Sequence, residues 1–262
     1  MDHIATQEDQ RILHTDSCVV GSSEHICYYA NSFGFAGHYK YTRHNLSHSV
    51  IAQDESGKQN YGDYDVRCMS SQLESPQQLA QRVAVEACRK LQSRVVKTQR
   101  CPVLFSPPVA KKLFMCFLSA INGHRIYQQS SFLRENLGEL IFPESFSLKQ
   151  YPHRKRSLFS SPFDDEGVRT REQAFLQEGR FHQFICDSYA ARRLGTAVTG
   201  NAGGLFNVCL EAPTVSLEEL VKQMHSGLIV TDVMGQGVNM VNGDYSKGAS
   251  GFWVENGSIQ YP

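Results

Sequence analysis

The chain has 262 residues, 41% of them hydrophobic and 20% charged, and its 26 Lys plus Arg balance 26 Asp plus Glu. Zero formal net charge argues against a general grip on nucleic acid, which needs a basic face. No apolar run reaches the length of a membrane span, so neither direct nucleic-acid nor membrane partners are expected.

Eight cysteines (Cys18, Cys27, Cys68, Cys88, Cys101, Cys116, Cys186 and Cys209) contain no CxxC pair. That spacing does not suggest a zinc ribbon or a redox dithiol. Free thiols in a reducing cytoplasm fit better. The start, Met1 to Glu8, lacks a basic n-region and an apolar core, so no signal peptide is expected. The chain is long enough for one large domain or two smaller ones.

In chain order, residues up to about Ser71 read as β. Between Tyr39 and Ala52, Leu46 and Val50 point one way and Asn45, Ser47 and Ser49 the other. Asn31–Gly34 and Asp54–Gly57 supply turns, and Tyr61–Val66 a return strand, so an antiparallel meander with one wet face is predicted. Ser75-Pro76-Gln77-Gln78 then opens a helix with an N-cap, a first-position proline and a capping-box glutamine. Leu79, Val83, Ala87 and Leu91 form its apolar stripe.

Val103–Phe105 reads as a short strand. A second helix starts at Ser106-Pro107-Pro108 and buries Val109, Leu113, Phe114, Phe117, Leu118 and Ile121, with Asn122-Gly123 as its stop. His124 to Ser160 is irregular. Pro143, Pro152 and the basic run His153-Arg154-Lys155-Arg156 indicate a surface excursion, and the basic run reads as a solvated loop. Gly179 marks a turn. Ser188–Leu194 is a short helix ending at Gly195, and Ser216–Glu219 is a capping box for a helix that stops at Ser226-Gly227. Gly227–Pro262 packs seven glycines among β-prone runs and reads as two or three strands. Its glycines allow another backbone, a ligand or a partner to come close, which makes Gly235, Gln236, Gly237, Asp244, Tyr245 and Ser246 candidates for binding a peptide or a partner.

Several segments resemble one known family. They are Tyr41–Ser47, the element Ser161-Pro-Phe-Asp-Asp-Glu-Gly-Val-Arg-Thr170, Ser188–Gly195, Thr199–Gly204 and, most specifically, Gly243–Gly257. Together they resemble the PmbA (TldE) branch of the TldD/PmbA family, described as modulators of DNA gyrase and zinc metallopeptidases. The resemblance implies an α+β fold. Residues 1–98 would be the latter part of the family's N-terminal α+β domain, an antiparallel sheet with a packed helix. Residues 99–262 would be its mostly β C-terminal metallopeptidase-like domain with a few helices, lacking its last strands. A sheet shortened in this way would expose edges, so a homo- or hetero-oligomer is expected.

The TldD branch carries HExxxH on a helix. Its histidines hold zinc, and its glutamate can act on a metal-bound water. The matching helix here reads Met115-Cys-Phe-Leu-Ser-Ala120. Met115, Cys116 and Ala120 stand at the motif positions, or Cys116, Phe117 and Ile121 one residue later. Neither register supplies three ligands. The resemblance therefore implies a non-catalytic subunit with no cofactor of its own, a TldD-like partner that carries the zinc, and unfolded peptide as substrate. The alternatives are a regulatory module linked to gyrase or an antitoxin, and a hydrolase using Cys116 with His124.

Other constellations carry less. His44 and His48, on a strand, would stand roughly 13 Å apart, too far for one metal. Asp164-Asp165-Glu166 lacks the alternation of a calcium loop and reads as an acidic turn. Gly200–Gly204 reads as a glycine turn. No Walker loop, dinucleotide fingerprint or GxSxG elbow occurs.

Overall fold

The computed structural model describes all 262 residues. Its first part is a meander of three antiparallel strands, β1 (Ile12–Ala30), β2 (Ala36–Asp54) and β3 (Gly57–Arg67), in that spatial order. The alternation read between Tyr39 and Ala52 is present, and it buries Leu46, Val50 and Ala52 under helix α2 (Pro76–Arg89). The capping box forms: Ser75 Oγ accepts from Gln78 N at 3.1 Å, and Gln78 Oε1 accepts from Ser75 N at 3.4 Å. Such a cap contributes about 1 kcal/mol. Leu79, Val83 and Ala87 are fully buried and Leu91 nearly so. Burying each larger aliphatic side chain contributes about 2 kcal/mol.

The start departs from the β reading. Asp2–Glu8 is helix α1, whose buried Ala5 joins the α2 core. Two turns with only Ile4 and Ala5 turned inward leave no helical stripe long enough to read. The distal part of the β1–β2 hairpin has no helix over it, and Val20, Tyr28 and Phe33 are exposed there.

The second part holds two further sheets. One has the order β11 (Ser258–Tyr261), β10 (Gly248–Glu255), β9 (Gly227–Met234), β4 (Val103–Phe105), with β4 and β9 parallel and the other pairs antiparallel. The other is antiparallel, with the order β7 (Arg180–Phe181), β6 (Gln173–Gln177), β5 (Ser147–Gln150), β8 (Val208–Glu211). Helix α3 (Pro107–Ala120) buries Phe117 and Leu118 against Leu148, Phe175, Leu176 and Phe181. Asn122 does not simply stop this helix. Its side chain accepts from His124 N and starts the one-turn α4 (Gly123–Tyr127).

Helix α5 (Ser188–Leu194) ends at Gly195 with φ 66, as its sequence indicates. Helix α6 (Leu217–Met224) carries its predicted capping box but ends two residues early, at a His225 with φ 58. The architecture is α+β, with antiparallel sheets predominating.

The hairpin ties the two parts together. Its tip reaches Phe163, whose ring meets Phe35 edge-on at 5.1 Å and Tyr39 at 5.4 Å. At the other end, Arg94 N donates to Pro262 O at 2.9 Å, and Arg89 lies over the Phe252 ring.

Candidate functional site

A cleft of about 1640 Å³ opens between the two parts. Small-molecule pockets run to roughly 300–1,000 Å³, so this space suits something longer. Its walls come from the end of β3, one face of α3, the loop after Pro152, the glycine turn and β8.

On α3 the cleft receives Lys111, Phe114, Met115, Leu118 and Ser119. Their spacing of three and four residues marks one helical face. Of the positions expected to replace a metal motif, Met115 is on this face and half exposed. Cys116 is not among the lining residues, and Ala120 is fully buried in the core behind. A frame with functional groups at its first, second and sixth positions can point all three into the cleft. That happens in the register Phe114, Met115 and Ser119, one residue before the register read from the sequence. The periodicity of α3 showed which residues are apolar, not which face looks into a cleft built from distant segments.

Residues fit for zinc are absent from this face. Phenylalanine supplies no donor, methionine's thioether suits softer metals, and zinc sites need three or four Cys, His or carboxylate ligands. No group of three or more His, Cys, Asp or Glu in the chain is placed to hold a metal ion. The nearest titratable pair in the cleft is His124 and Asp187, with Nε2 and Oδ2 2.6 Å apart. Burial pushes Asp187 up, but hydrogen bonds from His124 and from Ala190 N–H outweigh it and hold the carboxyl below its usual range. Asp187 also caps α5 by accepting from Ala190 N at 2.7 Å. No hydrogen bond joins His124 to Cys116. The neighbouring Cys186 is fully buried, and burial followed by the Asp187 charge pushes its thiol up to about 11. A thiol so raised is a poor nucleophile.

The acidic turn is occupied by the chain itself. Asp164 Oδ1 accepts from Glu166 N and Val168 N, and its Oδ2 from Ala202 N, all within 3.0 Å. Glu166 accepts from Ser188 N and Oγ. The glycine turn Thr199–Gly204 lies against this element, and its Asn201, Ala202, Gly203 and Gly204 line the cleft. Gly200 has φ 71, and a Cβ there would stand 2.7 Å from Arg169 O, so only glycine lets the two backbones meet.

The six candidates of the C-terminal segment lie elsewhere. Gly235, Gln236, Gly237, Asp244, Tyr245 and Ser246 form the exposed extension of the β9–β10 hairpin, outside the cleft lining. Ser246 N donates to Gly237 O at 2.7 Å, and a Cβ on Gly237 would stand 1.8 Å from Ser246 O. The extension leans on the second part through Phe132 N, which donates to Met240 O. His44 and His48 take separate partners, Ser22 Oγ and Thr15 Oγ1.

Sequence reasoning missed Arg154 and Arg156, which reach the cleft. It also missed Asn207, which holds their loop. Asn207 Nδ2 donates to Tyr151 O and Ser160 Oγ, and its Oδ1 accepts from Ser157 Oγ and Phe159 N. An Asn at positive φ can be read as a turn former, but its long-range partners cannot.

Residues 1–91 match the PmbA/TldA metallopeptidase central domain, and residues 98–262 match the PmbA/TldA metallopeptidase C-terminal domain. The chain belongs to this PmbA/TldD metallopeptidase family. It is 40% identical over all its 262 residues to a metalloprotease PmbA homolog of Haemophilus influenzae, and 39% identical to metalloprotease PmbA of Escherichia coli O157:H7. It spans 58% of the length of each. Among solved structures it is similar to a protein of Thermotoga maritima named as a modulator of a DNA gyrase, with TM-score 0.90 and 29% identity over 99% of this chain and 61% of that one. A Bacteroides thetaiotaomicron protein of the same description has TM-score 0.92 and 26% identity, covering 99% of this chain and 60% of that one. No helix of the chain is long and apolar enough to cross a membrane.

Proposed function

We propose that this chain is the non-catalytic, PmbA-type part of a two-component metallopeptidase. A TldD-like subunit supplies the zinc, and this chain presents unfolded peptide. The observation that supports this reading is the cleft face of α3, where Phe114, Met115 and Ser119, spaced as the first, second and sixth positions of a frame, line the cleft and supply no zinc ligand set. The cleft suits the task in size and lining: it holds about 1640 Å³, and half of its 30 lining residues are hydrophobic. The unpaired outer edge of β1 offers a partner subunit a surface for pairing.

The experiment measures bound zinc and peptide cleavage for the purified protein, alone and mixed with a TldD-like partner. The expected result is no stoichiometric zinc and no cleavage alone, with cleavage restored in the mixture. Zinc-dependent cleavage by this protein alone overturns the reading.

A further inference from the structure

The basic run His153–Arg156 reads in sequence as a solvated loop, yet Arg154 and Arg156 line the cleft together with Lys111 and Arg67. Asp187 is the only carboxylate on those walls, and it is taken by His124. Arg67 is likewise paired, with Asp65 at 2.9 Å. Lys111, Arg154 and Arg156 have no carboxylate partner. Arg154 is held on the wall by its contact with the Tyr151 ring and by donating to Cys209 Sγ at 3.4 Å. A chain of zero net charge thus concentrates three uncompensated cations on one cleft.

The loop that carries two of them is fixed. Asn207 binds it through Tyr151, Ser157, Phe159 and Ser160, on both sides of the two arginines, which keeps their backbone at the cleft. The same cleft is lined by the apolar residues Phe114, Met115, Leu158 and Phe159. β8, which has β5 on one side and no strand on the other, supplies Val208–Leu210 to the same wall.

We propose that the cleft selects extended peptide segments in which acidic residues flank apolar ones, with Lys111, Arg154 and Arg156 reading the carboxylates. This rests on the peptide-binding reading above and adds its chemical selectivity. Charge complementarity requires an anionic occupant. The apolar lining and the open strand edge favour a peptide over a nucleic acid, whose phosphate backbone calls for a continuous basic track.

The test uses the 262-residue chain and rhodamine-labelled peptides that alternate leucine with glutamate, glutamine or lysine, followed by fluorescence anisotropy at low and high salt. The expected order is glutamate, glutamine, lysine, with the glutamate peptide about 10-fold tighter than the glutamine peptide at low salt. The triple variant Lys111→Gln, Arg154→Gln, Arg156→Gln is expected to bring these two peptides level while keeping the parent's circular dichroism and melting temperature. Equal binding of glutamate and glutamine peptides by the parent, or an undiminished preference in the variant, overturns the selectivity and leaves the peptide cleft standing. No binding of any of the three peptides overturns the peptide-binding reading itself. A single-stranded oligonucleotide that binds as tightly as the glutamate peptide, and is lost in the variant, overturns the choice of a peptide.

Discussion

Asn207 Oδ1 accepts the backbone N–H of Phe159 at 3.0 Å, across forty-eight residues of chain. The same side chain makes three further hydrogen bonds within the loop from Tyr151 to Ser160. Its φ of 43 is a conformation that Asn tolerates and Ala does not favour. Asn207→Ala is expected to destabilise the fold by about 3 kcal/mol in urea unfolding. It should also remove the proposed preference of the cleft for acidic peptides under conditions where the variant is still folded.

Phe163 is nearly fully buried and is wedged among Phe35, Tyr39 and Tyr29. Truncating a buried aromatic leaves a cavity as well as losing transfer energy. Phe163→Ala should cost about 3 kcal/mol, and Phe163→Leu clearly less. Limited proteolysis should then open the Asn31–Phe35 turn before the α2 core. A variant as stable as the parent would mean that the contact is idle.

His48 is buried, its Nδ1 has no hydrogen-bond partner, and its Nε2 meets Thr15 Oγ1. Burial, and after it the Met1 amino group, push its pKa below the ordinary value, with Asp2 opposing. As pH falls below about 6.5, the unfolded chain takes up a proton that the folded chain resists. This contribution to stability is therefore full above that pH and is lost as pH falls through the lowered folded value. Melting temperature should decline over that window, and His48→Gln should flatten the decline. An unchanged slope in the variant would assign the decline to other groups.

Asp164 spends both carboxylate oxygens on three backbone N–H groups, and Glu166 spends both of its own on Ser188. The carboxylate oxygens of Asp164 and Glu166 therefore already have protein donors where a cation would need them free. Adding a chelator, or calcium, should leave the melting temperature unchanged. Asp164→Asn should lower stability by about 2 kcal/mol, because an amide offers one acceptor where three donors converge. A calcium-dependent melting temperature would contradict this assignment.

Local signals were the legible ones. Ser75 with Gln78, and Ser216 with Glu219, announce their helices because a capping box is complete within four residues. The β1–β2–β3 meander is readable because its alternation survives wherever α2 covers one face. The cleft is a different kind of object. Cys68, Met115, Arg156, Ala202 and Leu210 meet there from five separate stretches, and no periodicity in one stretch reports on the others. For that reason the exposed loop of Arg154 and Arg156 does not announce that it borders a cleft, and the sequence of α3 does not announce that Phe114, Met115 and Ser119 face it.

The β1–β2 hairpin is also a gauge. Of the nineteen residues in each strand, the stretch of β2 from Leu46 under α2 to Tyr39 against Phe163, at about 3.3 Å per residue, separates the α2 core from the seat at Phe163. Asp164, the next residue, fixes Ala202 on the rim of the cleft. Deleting one cross-strand pair would shorten this spacer by about 3.3 Å and turn the wrong faces of Phe35 and Tyr39 to the seat. Deleting two pairs would restore the faces but draw the rim inward by about 7 Å. The position of the Ala202 rim is thus tied to the length of a ribbon none of whose residues lines the cleft.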